Sequence, residues 1–181
     1  MIGRMLRNAL ERAGLLELGE RALRGEGLGL PDIATLERAD LLLVAGLADA
    51  VRRHHRGDEV RLLGASAAKR EPDLLRLNLD AGRTDGPTGE ELLRQIALAR
   101  LSTPCNRSVG VSFEQIGLEL AQTALAFGAD ALWGDLETRR TLPLLSGKAA
   151  RRQEIEGLVQ RSGRRVRWVE EAQAAPVESR S

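Results

Sequence analysis

From residue 58 onward the chain alternates between short segments of two-residue periodicity and longer segments with helical spacing. The strand-like segments fall at 60–63, 74–79, 109–113, 131–133 and 166–169, and the helical ones at 88–101, 114–127 and 148–161. Strands that alternate with helices are typical of βα units, which join parallel strands through crossover helices. The sequence therefore predicts an α/β fold with a parallel sheet of about four to five strands.

The first 57 residues show helical spacing without a strand pattern, and their boundaries carry capping signals. Pro31 is suited to the first turn of a short helix. Asp40 is a candidate N-cap for the leucine-rich segment that follows, and Gly57 is a candidate C′ residue after a basic last turn. Later in the chain Thr88 and Glu91 form a capping-box pattern. We expect an N-terminal helical region before the sheet.

Composition limits the environment of the chain. The 43% hydrophobic content is sufficient for a core, which must be aliphatic because aromatic residues make up 2%. Basic and acidic residues number 27 and 26, so we expect no general attraction to nucleic acid or to an anionic membrane. No segment reaches the roughly 20 apolar residues of a membrane span. These features favour a cytoplasmic protein with a helical region at 1–57, an α/β domain at 58–172 and a disordered tail at 173–181.

Several segments occur in an order that points to a known family. They are GPTG at 86–89, LLRQIALARL at 92–101, GLELAQTALAFGAD at 117–130 and SGRRVRW at 162–168. This region resembles the C-terminal part of the radical SAM enzymes of the futalosine route to menaquinone, aminofutalosine synthase and cyclic futalosine synthase, and of the related synthases of the deazaflavin F0. Residues 18–63 are similar to the helical N-terminal region of the same family.

The resemblance implies a partial TIM barrel. The family fold is a parallel (β/α) barrel, and the two matching regions correspond to its first strand and its last strands. Since the first and last strands of a closed barrel are neighbours, the resemblance implies one contiguous arc with strands at Leu62, Leu75, Val111 and Leu132. An open arc leaves strand edges that need a cover. A second copy, a different partner or the N-terminal helices would supply it.

Radical chemistry is not expected of this chain. The family holds its iron–sulfur cluster on three cysteines spaced C-x3-C-x2-C, whereas this sequence has one cysteine, Cys105. The resemblance therefore implies a pseudoenzyme without a cofactor, acting as a binding or assembly subunit that forms a homo-oligomer or docks on a full-length radical SAM relative. One alternative is a small-molecule-binding protein or enzyme that uses the C-terminal barrel end as a pocket. Another is a decayed product without a selected role, against which the intact capping patterns argue.

The resemblance also supplies candidate ligand-binding residues. Asp130 aligns with an acidic segment that the family places at the end of its last barrel strand, where active sites of such barrels lie. Gly128 and Asp135 flank it, and Ala131 stands where the family often has a second aspartate. The alternative for Asp130 is a turn or capping role. No catalytic residue is assigned.

The remaining candidates favour structural interpretations. Cys105 follows Pro104 in a turn-like segment and is interpreted as an ordinary loop cysteine, since pairing with a histidine would need a contact made by the fold. His54 and His55 are adjacent on a helix and point about 100° apart, so they do not share a metal ion. The basic residues at 52–56 are expected in solvent at a helix end, as are the arginines of the last third of the chain. The glycines at 25, 27 and 29 are interpreted as a turn between helices.

Overall fold

A computed structural model describes residues 3–79, 86–135 and 152–169 of the chain. Four helices precede the first strand: α1 (Arg4–Arg12), α2 (Leu16–Leu23), α3 (Leu30–Glu37) and α4 (Leu41–Arg56). The following elements are β1 (Glu59–Gly64), α5 (Ala65–Arg70), β2 (Leu74–Arg76), α6 (Gly89–Ser102), β3 (Ser108–Ser112), α7 (Phe113–Ile116), α8 (Leu118–Ala126), β4 (Ala131–Gly134), α9 (Arg152–Arg161) and β5 (Arg165–Val169). The tail predicted at 173–181 lies outside the described residues.

The five strands form one sheet in the order β2-β3-β4-β1-β5, and every pairing is parallel. Leu62 of β1 lies opposite Leu132 of β4, and Val111 of β3 lies opposite Leu132 on the other side. The prediction of an α/β, partial-barrel parallel sheet with an N-terminal helical region is confirmed. The first strand pairs with a strand late in the chain, which is the neighbour relation that the arc requires.

The main core lies between the N-terminal helices and one face of the sheet. Alternate strand residues point to this face and are buried, and they meet apolar residues of the helices. The sheet residues of this core include Val60, Leu62, Val111 and Leu132. A smaller cluster on the opposite face contains Leu63, Ala67, Ala68, Leu74 and Ala131. The helices α1 to α4 share the main core with the sheet. The boundary between residues 57 and 58 is therefore the end of a helix and not a division between two hydrophobic cores.

The capping predictions are confirmed. The Asp40 carboxylate accepts a hydrogen bond from the Leu43 amide at 3.0 Å, and Gly57 ends α4 with a φ of +67°. Thr88 and Glu91 exchange the two bonds of a capping box at the start of α6. Each cap involves residues only three positions apart, and for that reason the helix ends can be predicted directly from the sequence.

Three element predictions are wrong in detail. The helix expected at 114–127 is divided at Gly117, whose φ of +80° interrupts the helical backbone between α7 and α8. Phe113 belongs to α7 and not to the preceding strand. The strand expected at 74–79 is limited to Leu74–Arg76, and α5 had no counterpart in the sequence prediction. Among the described residues, no helix has the length and apolar content needed to cross a bilayer.

Candidate functional site

Asp130 lies immediately before β4 and is buried, with 1% of its surface exposed. Its Oδ1 accepts a hydrogen bond from the Val109 amide at 2.6 Å, and its Oδ2 accepts one from Arg56 Nε at 2.9 Å. Arg100 Nη1 lies 3.8 Å from Oδ1. One carboxylate therefore joins the end of α4, the end of α6 and the start of β3.

A chain of polar contacts continues from Asp130 across the amino ends of the strands. Arg56 Nη2 donates to Ser108 Oγ at 2.7 Å, and Arg61 Nη1 donates to the same oxygen at 3.2 Å. Arg61 Nη2 in turn lies 2.8 Å from a carboxylate oxygen of Glu71. Buried polar groups are stable when they form hydrogen bonds with one another, as these side chains do. We therefore interpret the network as one that stabilises the fold.

The structure corrects the position that the resemblance gave to Asp130. It lies at the amino end of β4, whereas active sites of parallel barrels lie at the carboxyl ends of the strands. Asp135 follows the carboxyl end of the same strand and is exposed. The five-residue step between the two aspartates spans about 16 Å of extended chain. Asp130 and Asp135 therefore do not converge on one ligand.

Gly128, the third candidate residue, has a packing role in this structure. Its φ is +96°, and a β-carbon at this position would lie 2.8 Å from Arg100 Cβ and 3.1 Å from Ala48 Cβ. Residue 128 must therefore lack a side chain for α8 to pack beside α4 and α6. No part of this geometry depends on a ligand.

A second group of buried charges joins α4 to the start of β5. Asp49 Oδ1 accepts hydrogen bonds from Arg52 Nε at 3.0 Å and from Arg164 Nη2 at 2.9 Å. Arg164 Nη2 also donates to the Leu125 carbonyl at 2.6 Å. Arg52 is fully buried and Arg164 is 9% exposed, so the expectation that both side chains lie in solvent is wrong. Burial lowers the pKa of Arg52, and repulsion from Arg164 adds to this while Asp49 opposes it.

Arg100 fixes the turn between α6 and β3. Its side chain is 1% exposed, and Nη2 donates to the carbonyl of Pro104 at 3.3 Å and to that of Arg107 at 3.0 Å. Burial lowers the pKa of Arg100, while the charge of Asp130 raises it. Cys105 lies within this turn and is half-buried. The buried guanidinium of Arg100 therefore stabilises the turn that contains Cys105.

The fold brings Cys105 and His55 to one place. Gly25 follows α2 with a φ of +77°, and a β-carbon there would lie 3.5 Å from Cys105 Sγ and 3.6 Å from His55 Cε1. The three residues belong to separate segments of the sequence. A cysteine–histidine pair would need a contact between the two side chains; the structure places both beside Gly25, and His55 Nε2 has no hydrogen-bond partner among the described residues.

His55 is half-buried in the last turn of α4, which corrects the expectation of a solvated pair of histidines. Burial lowers the pKa of His55, and the neighbouring His54 and Arg100 lower it further. The backbone of Leu23 and of Ala22 raises this pKa and so acts in the opposite direction. The surroundings of His55 therefore favour the neutral form of the imidazole.

This environment predicts an acid-sensitive stability. The unfolded chain protonates His55 near its ordinary value of about 6.5, above the pKa in the folded state. The free energy of unfolding should be retained above that pH and should decrease as the pH falls toward the folded-state pKa. Urea unfolding at a series of pH values checks this. We expect His55→Gln to flatten the decrease and His54→Gln to retain it, and equal slopes in the wild type and His55→Gln would contradict the assignment.

The carboxyl ends of the strands hold a smaller set of polar contacts. Gln115 Nε2 donates to Asn78 Oδ1 at 3.2 Å, and Gln115 Oε1 accepts from the Leu79 amide at 3.4 Å. The Phe113 ring packs against Gly134, where a β-carbon would lie 2.4 Å from it. Within residues 3–79, 86–135 and 152–169, no group of three or more His, Cys, Asp or Glu residues could hold a metal ion.

Comparison with known proteins adds no relative at this point. No protein-family model matches the chain, and no curated protein matches it.

Proposed function

We propose that this chain is a relative of the futalosine-type radical SAM enzymes that lacks their cluster and acts as a binding or assembly subunit. The observation that supports the proposal is the strand order β2-β3-β4-β1, in which the first strand pairs with a late strand. This is the arrangement expected if the ends of a parallel barrel are kept and its middle is absent. Cys105 is the only cysteine of the chain, and a cluster of this kind needs three thiolates.

The edges of the sheet indicate how such a subunit would bind a partner. In the described part of the chain, β2 pairs only with β3 and β5 pairs only with β1. Parallel sheets rarely leave a long edge or a face without cover, because unpaired backbone groups and apolar side chains then meet water. A second copy of this chain, or a full-length relative, would supply the neighbouring strands.

The outer edge of β2 can be tested without disturbing its inner edge. The Leu77 amide donates to the Gly110 carbonyl of β3 at 3.0 Å. Because successive amides of a strand point in opposite directions, the amide of Arg76 points away from β3. The side chain of Arg76 is exposed. Proline at this position removes an outward donor while the pairing with β3 is retained.

We expect the wild-type protein to form a defined oligomer and Arg76→Pro to shift it to the monomer mass. Arg76→Ala, which removes the same side chain but keeps the amide, should retain the oligomer. Light scattering coupled to gel filtration measures the masses, and circular dichroism shows whether each variant is folded.

If the wild-type protein is a monomer, the next experiment tests binding to the other proposed partner, a full-length relative. The monomer is then mixed with a purified full-length enzyme of the family, and a complex that Arg76→Pro weakens and Arg76→Ala does not would support the proposal. A wild-type chain that is monomeric alone and remains monomeric in that mixture contradicts it.

A further inference from the structure

The strand β5 has an outer edge that is open to solvent. In the described part of the chain it pairs only with β1, and none of its five residues is buried, whereas all five residues of β3 are buried. The Arg165 amide donates to the Asp58 carbonyl at 3.0 Å. Because successive residues of a strand direct their backbone groups to opposite sides, the amides and carbonyls of Val166 and Trp168 point away from β1. These outward groups can pair with a further strand.

Two arginines place positive charge along one face of this edge. Arg165 and Arg167 are separated by one residue, so they share the face of the sheet opposite to the main core, together with Val169. Both side chains are exposed. Arg167 Nη1 donates to Glu59 Oε1 at 3.3 Å, while no carboxylate within residues 3–79, 86–135 and 152–169 pairs with Arg165. The edge therefore has a net positive charge that a partner can neutralise.

The other face of the same edge is apolar. Val166 and Trp168 pack against the main core and remain partly exposed. The Trp168 indole nitrogen donates to Glu156 of α9, and the guanidinium carbon of Arg152 lies 4.0 Å from the centre of the indole ring. These contacts hold the indole against α9. An apolar side chain of an added strand would pack beside Trp168 on this face.

A second copy of this chain does not fit the β5 edge. Two β5 edges paired antiparallel about a two-fold axis would bring Arg165 and Arg167 of the two copies close together on one face. The β2 edge of a second copy is also unsuitable, because Arg76 shares a face with Leu74, and Leu74 lies on the arginine face of the sheet. Like charges on neighbouring strands destabilise the pairing. The charge of this edge instead fits an acidic strand.

We propose that the β5 edge binds an extended acidic segment of another protein, which adds to the sheet as a further strand. The segment has glutamate or aspartate at alternate positions on the side of Arg165 and Arg167, with apolar residues between them on the side of Trp168. Its backbone pairs with the outward groups of Val166 and Trp168, and these main-chain hydrogen bonds supply affinity while the alternate side chains supply specificity. The β5 edge is separate from the β2 edge, so this inference does not depend on the proposed function.

A short fluorescent peptide in which glutamate and valine alternate tests the proposal, with binding to the full chain measured by fluorescence anisotropy. Arg165→Glu reverses one of the two charges, so binding should weaken about tenfold. Arg161→Glu makes the same change in charge on an exposed residue at the end of α9, outside β5, and its affinity should stay within about twofold of wild type. Circular dichroism shows whether both variants are folded.

Three further peptides separate strand addition from simple attraction between opposite charges. One has lysine in place of glutamate, one has the same composition with its glutamates in a single block, and one keeps the original sequence with N-methylated amides. We expect each to bind the wild-type chain about tenfold more weakly than the alternating peptide, or not at all. Equal binding of any of them, or equal effects of Arg165→Glu and Arg161→Glu, would overturn the proposal. Absence of binding by the alternating peptide would also overturn it and would leave the arginines as a protection of the edge against pairing.

Discussion

Replacement of Asp130 by alanine should destabilise the protein by about 3–5 kcal/mol, because removal of one partner from a buried ion pair leaves the other charge uncompensated. Two cations would be left without this partner: Arg56, whose Nε donates to the carboxylate at 2.9 Å, and Arg100, whose side chain is 1% exposed and lies 3.8 Å from it. The Val109 amide would also lose its acceptor at the start of β3. At about 2–4 °C per kcal/mol for a chain of this size, Tm should fall by roughly 10 °C.

Two control variants define what the carboxylate contributes. Asp130→Asn retains an oxygen for the Val109 amide but removes the charge, so its Tm should fall by an intermediate amount. Asp135→Ala changes an exposed aspartate at the other end of the same strand and should cost at most about 1 kcal/mol. Thermal unfolding followed by circular dichroism measures all three. If Asp130→Ala unfolds at the same temperature as Asp135→Ala, the network at the amino ends of the strands does not support the fold.

The elements of this fold are largely readable from the sequence because their signals are local. The Asp40 cap acts over three residues, as does the pair of Thr88 and Glu91, and each lies where it was predicted. The strand at Val60 and Leu62 is evident from its alternation. Gly117 was misread, since a glycine within a helical pattern can either continue the helix or adopt a positive φ.

The buried charges could not be predicted in this way. Arg52 and Arg164 occur in basic stretches that are typical of solvated surfaces, and their burial depends on Asp49 lying between α4 and β5. Likewise, Arg56 and Asp130 are separated by 74 residues. Nothing in the sequence pairs a particular arginine with a particular carboxylate, because only the packing of helices on the sheet decides which charges meet.

The setting of Cys105 was missed for the same reason. Gly25, in the turn after α2, lies beside both Cys105 and His55 of α4. Neither Gly25 nor His55 belongs to a sequence motif that predicts a nearby cysteine. The resemblance likewise gave Asp130 a position near the carboxyl ends of the strands, although four residues of strand follow it. Which end of a strand a residue occupies depends on where the strand begins, and strand boundaries are among the weakest sequence signals.

Gly128→Ala should cost about 2–5 kcal/mol, the combined effect of a positive φ and of excess packing volume. Gly128 ends α8 in a turn in which the Ala129 amide donates to the Ala124 carbonyl at 3.2 Å. A β-carbon at this residue would meet Arg100 Cβ and Cγ at 2.8 Å. These atoms lie at the base of the Arg100 side chain, and its guanidinium donates to two carbonyls. A shift of Arg100 away from residue 128 would therefore disturb these hydrogen bonds.

Gly14 offers a matched control for this effect. It ends α1 in the same kind of turn, with the Leu15 amide donating to the Leu10 carbonyl at 2.8 Å and a φ of +69°. A β-carbon on Gly14 meets no atom within 4 Å. Gly14→Ala should therefore cost only the conformational part, about 1–2 kcal/mol. Urea unfolding of both variants gives the difference, and equal losses would show that close approach to Arg100 does not require glycine at residue 128.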